Sequence, residues 1–90
     1  MIDVKEATEV ALEYFQDIYS DQAFSNVLLE EVEREQEDDT PYWLITIGFT
    51  ERKQEGPLGQ LASSRRYKRF KIDAETGEVV SMKIRSFENA

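Results

Sequence analysis

Cysteine and histidine are both absent from the 90 residues of this chain. Without cysteine there can be no disulfides and no thiolate metal sites. Without histidine the chain lacks the commonest zinc ligand and the usual general base near neutral pH. The Ser-His and Cys-His pairs of nucleophilic catalysis are excluded on the same ground. Proline and glycine are scarce, at two and four residues, so few places interrupt regular structure. No apolar run approaches the ~18–20 residues that a membrane-spanning helix needs. The opening Met1-Ile2-Asp3-Val4-Lys5-Glu6 has neither the basic nor the apolar region of a secretory signal. The expectation is a chain that starts at Met1 and stays in the cytoplasm, without contact with membrane.

What is present is an ordinary folding composition, 40% hydrophobic and 11% aromatic, with an unusual charge distribution. The net charge is −8. Residues 1–51 carry 14 acids and 2 bases, whereas residues 52–90 carry 5 acids and 9 bases. The acidic half disfavours attraction to nucleic acid or anionic lipid. The basic stretch Arg65-Arg66-Tyr67-Lys68-Arg69-Phe70-Lys71 interleaves cations with aromatics, as single-strand nucleic-acid platforms do. With a pI near 4.5, the expected role is internal: these bases balance the glutamates of a neighbouring strand. The acidic run from Glu30 to Asp39 lacks the alternating ligands, central glycine and closing glutamate of a calcium loop. Gly56-Pro57-Leu58-Gly59 has only the outline of a nucleic-acid-binding GxxG loop, with proline inside it. Carboxylates are plentiful, but glycosidase chemistry needs two of them in a deep cleft. The sequence offers no catalytic, cofactor-binding or metal-binding residue set.

The order of elements follows from periodicity. Asp3 and Glu6 have capping-box spacing. After them Ala7, Val10, Ala11, Tyr14, Phe15 and Ile18 recur at intervals of three and four, which predicts one amphipathic helix ending near Tyr19 to Asp21. From residue 27 the period changes to two. Residues 27–36 predict a first strand, although their glutamates also suit a helix. Residues 42–51 predict a second strand, 65–73 a third and 78–87 a fourth. Residues 52–64 read as a thirteen-residue loop between the second and third strands, longer than the usual hairpin connection. Asp73-Ala74-Glu75-Thr76-Gly77 predicts a tight turn closed by a glycine with positive φ. The expected fold is a single α+β domain over residues 1–90, with one N-terminal amphipathic helix packed on one face of a four-stranded antiparallel meander. The expected core is the helix stripe with Trp43, Ile45, Ile47, Phe49, Phe70, Ile72, Val80, Met82 and Ile84.

These residues also resemble a family. A leading helix, a Glu-rich strand, the aromatic strand Tyr42-Trp43-Leu44-Ile45-Thr46-Ile47, and Tyr67 leading into Ile72-Asp73-Ala74-Glu75-Thr76-Gly77-Glu78-Val79-Val80 look like a PepSY-type domain over residues 3–85. The Asp-Ala-x-Thr-Gly-Glu-Val stretch is the most specific part. The resemblance implies a small α+β binding module of the kind found in protease propeptides and cell-envelope proteins, where such domains regulate or inhibit peptidases. It supplies no catalytic residues to transfer, and residues 52–64 stand as an insertion relative to it.

The functional expectation is a non-enzymatic protein-binding or regulatory module. Its contact would be the sheet face away from the helix, where Tyr42, Leu44, Tyr67, Val79 and Phe87 are expected to point, together with Arg69 on the same strand as Tyr67. Leu58 and Leu61 in the 52–64 loop would be further anchors. The partner would be another protein or a second copy of the chain. An alternative is an immunity- or antitoxin-type protein whose acidic helix face and 30–39 run cap a basic partner. Small-molecule binding between helix and sheet is a third.

Overall fold

The computed structural model describes residues 1–20, 24–55 and 60–85. Helix α1 runs from Val4 to Ile18. Asp3 caps it, its carboxylate accepting from the Glu6 amide at 2.9 Å, which satisfies one of the first-turn donors. At the other end the Tyr19 amide donates to the Phe15 carbonyl at 3.0 Å. Strands β1 (Ser25–Glu37), β2 (Thr40–Glu55), β3 (Gln60–Asp73) and β4 (Val79–Ile84) form one antiparallel sheet in the order β1-β2-β3-β4. This is the expected α+β meander, with the helix on one face.

The helix meets the sheet along a narrow line. Ala7, Ala11 and Phe15, spaced by four, are buried. They pack with Ile45, Ile47, Phe49, Phe70 and Ile72. Two alanines in the middle of the contact let the helix backbone come close. The broader predicted stripe is corrected at its margins. Tyr14 is partly exposed and meets Phe70 edge-on at 6.0 Å, while Ile18 is half exposed. The helix end is closed by aromatics instead. Tyr19 packs at a tilt against Phe15 at 5.0 Å and edge-on against Phe24 at 5.4 Å, and Phe24 lies 4.6 Å from Phe49.

Two other core assignments change, the first because of a β-bulge. Lys71 pairs with Ser81, but Ile72 pairs with Val79, so Val80 is the extra residue on the β4 side. The register slip flips that end of the strand. Val79 therefore packs against the core, while Val80 is 52% exposed. Ile84 pairs with Lys68 instead of a core residue and is 76% exposed. Met82, opposite Phe70, keeps its expected place.

The thirteen-residue loop is also corrected. β2 and β3 stay paired as far as Glu55 and Gln60, so residues 52–55 and 60–64 belong to the strands. Leu61 belongs to β3, opposite Gln54. The β1–β2 connection is tight. Asp38 and Asp39 both have positive φ, 46° and 69°, as a two-residue hairpin turn of the primed type requires.

The β3–β4 turn is built from the motif that the sequence singled out. The Asp73 carboxylate accepts from the amides of Glu75 (2.8 Å) and Thr76 (3.2 Å). Gly77, at φ 79°, donates its amide to the Asp73 carbonyl at 2.7 Å. Thr76 accepts from the Glu78 amide at 3.1 Å. The N-terminal residues are pinned onto this turn. The Ile2 amide donates to the Ala74 carbonyl at 2.7 Å, the Trp43 indole donates to the Ile2 carbonyl at 3.1 Å, and the Ala74 amide donates to the Pro41 carbonyl at 3.0 Å.

Candidate functional site

The sheet face opposite the helix carries no second layer among the described residues, and its chemistry is set by register. On β2 the residues of this face are Tyr42, Leu44, Thr46, Gly48 and Thr50. Glu31, Glu33 and Glu35 of β1 stand opposite Thr46, Leu44 and Tyr42. From β3, Tyr67, Arg69 and Lys71 stand opposite Gly48, Thr46 and Leu44. A row of acids and a row of bases thus flank a central strand of smaller side chains, and the long side chains meet above it.

The resulting ion pairs span the face. Arg65 pairs with Glu30. Arg69 approaches Glu33 at 3.7 Å, Lys71 approaches Glu35 at 3.5 Å and Glu37 at 2.7 Å, and Arg85 approaches Glu31 at 3.5 Å. Each exposed pair contributes little alone, about 0–1 kcal/mol, but the set forms a network. Gly48 is part of the design. A Cβ built there would come within 2.7 Å of both Glu30 and Arg65, so the missing side chain is the space in which that pair closes. The internal charge balance expected from the sequence is therefore present in the structure.

The predicted contact residues divide accordingly. Leu44 is only 8% exposed although it lies on the uncovered face. It forms part of a shallow hollow of about 240 Å³ with Glu35, Glu37, Arg69, Lys71, Ser81 and Lys83. Tyr42 is half buried, with the Lys71 ammonium 4.4 Å from its ring centre. Tyr67 is half buried, with the Arg65 guanidinium at 6.0 Å. Such cation–aromatic contacts favour the charged side chains lying flat on the face. Val79 is corrected to the helix side by the bulge. Leu58 and Phe87 lie outside the described residues, as does the side chain of Leu61. The open face is thus a charged lattice over Leu44, and the exposed apolar patch expected there is not found among the described residues. Ser81 and Lys83 line the hollow from the side that simple alternation with Met82 gives them; they were not singled out as contacts because neither is a large apolar side chain.

Lys71 sits at the centre of the lattice. Its hydrogen bond to Glu37 raises its pKa above the ordinary 10.5; partial burial opposes this, and the negative charges of Glu37 and Glu35 reinforce it. The folded value is raised, so the contribution of Lys71 to stability is complete below 10.5 and is lost as pH rises through the folded value. The difference in urea midpoint between the native chain and Lys71→Met should therefore be constant from neutral pH to about 10 and shrink above 10.5. A difference that stays the same at higher pH would show that Lys71 acts only through packing.

Among the described residues, no group of three or more Asp or Glu side chains could hold a metal ion, and no helix is long and apolar enough to cross a membrane. A family model described as PepSY, peptidase propeptide and YPEB domain, matches residues 1–83. The chain belongs to the PepSY family. No curated protein and no solved structure matches it. The match takes in the capped helix, all of β1 to β3 and nearly all of β4, and includes the Asp73–Gly77 turn and its N-terminal clasp. PepSY domains are commonly regulatory or inhibitory modules and are not a catalytic family.

Proposed function

We propose that residues 1–90 act as one non-enzymatic, protein-binding module that regulates its partner, with the uncovered sheet face as the contact. The observation that carries this reading is the sheet face itself. Among the described residues it has no covering layer, holds Leu44 at the floor of a hollow, and presents a fixed pattern of cations and carboxylates. A prearranged charge lattice contributes more to specificity and association rate than to bulk affinity. Membership in a family of propeptide and inhibitory modules supports a protein partner over a small substrate.

The test compares partners captured from lysate of the native cell by the unaltered chain, by a Tyr67→Ala, Lys83→Glu variant and by a Glu9→Lys variant on the outer helix surface. Retention of one defined partner should fall about tenfold or more for the sheet-face variant, the scale of losing an aromatic anchor, and persist for the helix variant. Equal retention by both variants, with unchanged solution mass, would refute the open face as the contact.

A further inference from the structure

A separate surface is the outer edge of β1. Among the described residues β1 pairs with β2 on one side only and ends the sheet. Its register is interrupted between Ser25 and Leu28 and again between Leu29 and Glu31, then runs without a break from Glu31↔Thr46 to Glu37↔Thr40. Bulges blunt an edge against strand addition, so Glu31–Glu37 is the stretch flat enough to accept another strand. Edge β4 is shorter, at six residues, and borders the bulge at Val80.

The side chains of this stretch specify the occupant. Glu31, Glu33, Glu35 and Glu37 alternate along it at about 6.6–6.8 Å, twice the rise per strand residue. They incline toward the open face, where β3 and Arg85 reach them from the inner side. Their side chains remain substantially exposed, 49% for Glu33 and 52% for Glu37. On the helix side the same stretch shows Val32, which is 37% exposed, and Arg34, whose guanidinium lies 5.0 Å from the Trp43 ring centre. A second copy of β1 is a poor fit. Two-fold antiparallel pairing centred on Val32 sets Glu31 against Glu33 twice, and centring on Glu33 sets Glu31 against Glu35 twice. Like charges directly opposite are destabilising.

We propose that the outer edge of Glu31–Glu37 receives an extended segment of a partner protein in which Lys or Arg alternates with β-branched aliphatic residues, added as a fifth strand. Main-chain hydrogen bonds along the edge supply affinity, and the alternating glutamates set register and sign. Each carboxylate would then lie between an inner cation of its own chain and an outer cation of the partner. The inference rests on the protein-binding reading and shares its glutamates with the open face, but it uses the main-chain edge and not the Leu44 hollow, so the two fail separately.

The probe is a blocked seven-residue peptide alternating Lys and Val, titrated into the ¹⁵N-labelled full chain at about 20 mM and about 500 mM salt, conditions that span strong screening. Two controls accompany it. One is a peptide of the same composition with the lysines and valines in separate blocks, and the other is the alternating peptide N-methylated at every second residue. The expected result is shift changes confined to the amides of residues 31–37, slowed exchange at alternate amides, and affinity at least about tenfold above both controls at low salt. A Glu33→Gln, Glu35→Gln variant should lose about tenfold in affinity while keeping its circular dichroism spectrum. Equal binding of the block peptide would reduce the effect to net charge and overturn the proposal. So would shifts mapping to Lys83 and Arg69, the absence of binding at millimolar peptide, or β1–β1 dimerisation in its place. If the peptide fails here while the Tyr67→Ala, Lys83→Glu variant still loses its partner, the edge proposal falls alone.

Discussion

Phe49→Ala is expected to cost about 3–5 kcal/mol of folding stability, the usual range for removing a buried phenyl ring. A domain of this length has about 5–13 kcal/mol in total, so the loss is a large fraction of it. Phe49 is 2% exposed and is where three other rings converge: Phe15 at 5.0 Å, Phe24 at 4.6 Å and Tyr19 at 6.5 Å. Truncation leaves a cavity that the others cannot close, because Phe15 is fixed on the helix and Phe24 at the entry to β1. The melting temperature should fall by about 12–40 °C, given a shift of about 4–8 °C per kcal/mol in small domains. Thermal unfolding followed by far-ultraviolet circular dichroism measures it. A fall below about 5 °C would mean that the four rings do not form the cluster that ties the helix end to the sheet.

Ala11→Leu is expected to cost about 1–3 kcal/mol by the opposite mechanism, overfilling. Ala11 is fully buried at the middle of the helix–sheet contact. Leucine is the better hydrophobe and nearly as good a helix former, so any argument from composition or propensity predicts no harm. Only the close approach of the backbone predicts loss, since added methylenes must push the helix off Ile45 and Ile47 or force strained rotamers. Gln16→Leu, on the exposed helix surface, is the control and should stay within about 0.5 kcal/mol. Urea midpoints of both variants decide the matter. An Ala11→Leu chain as stable as the parent would mean that the helix does not lie against the sheet closely enough to exclude a larger side chain.

Those two positions also show what the sequence made legible. Phe49 and Ala11 were both assignable to the core by period alone, two for the strand and between three and four for the helix. The helix, the meander order and the Asp73–Gly77 turn were readable because local chemistry decides each of them: a capping carboxylate, an alternating strand, a glycine with positive φ. Val79 and Val80 were not, since an alternating run gives no sign of where an extra residue will enter, and one bulge exchanged their faces. The length of the β2–β3 hairpin was hidden too, because Arg52 to Glu55 and Gln60 to Ser64 show no apolar alternation. They pair because the strands they continue are already aligned. On the open face, the sequence showed acids on one strand and bases on another. It could not show that Gly48 and Thr46 leave room for them to meet over β2, which turns an expected apolar patch into a charged lattice.

The clasp at the N-terminus has a consequence for how the chain opens and closes. The meander assembles from neighbours, each hairpin closing a short loop. By contrast, Ile2 reaches Ala74 and Trp43 only by bridging most of the molecule, and closure entropy rises with the length bridged. These bonds therefore form on a scaffold already in place and can break without unfolding it, as a small unit with its own low opening free energy. The single tryptophan of the chain donates one of the clasp's bonds, so its emission reports on the release of the first residues separately from the loss of the sheet.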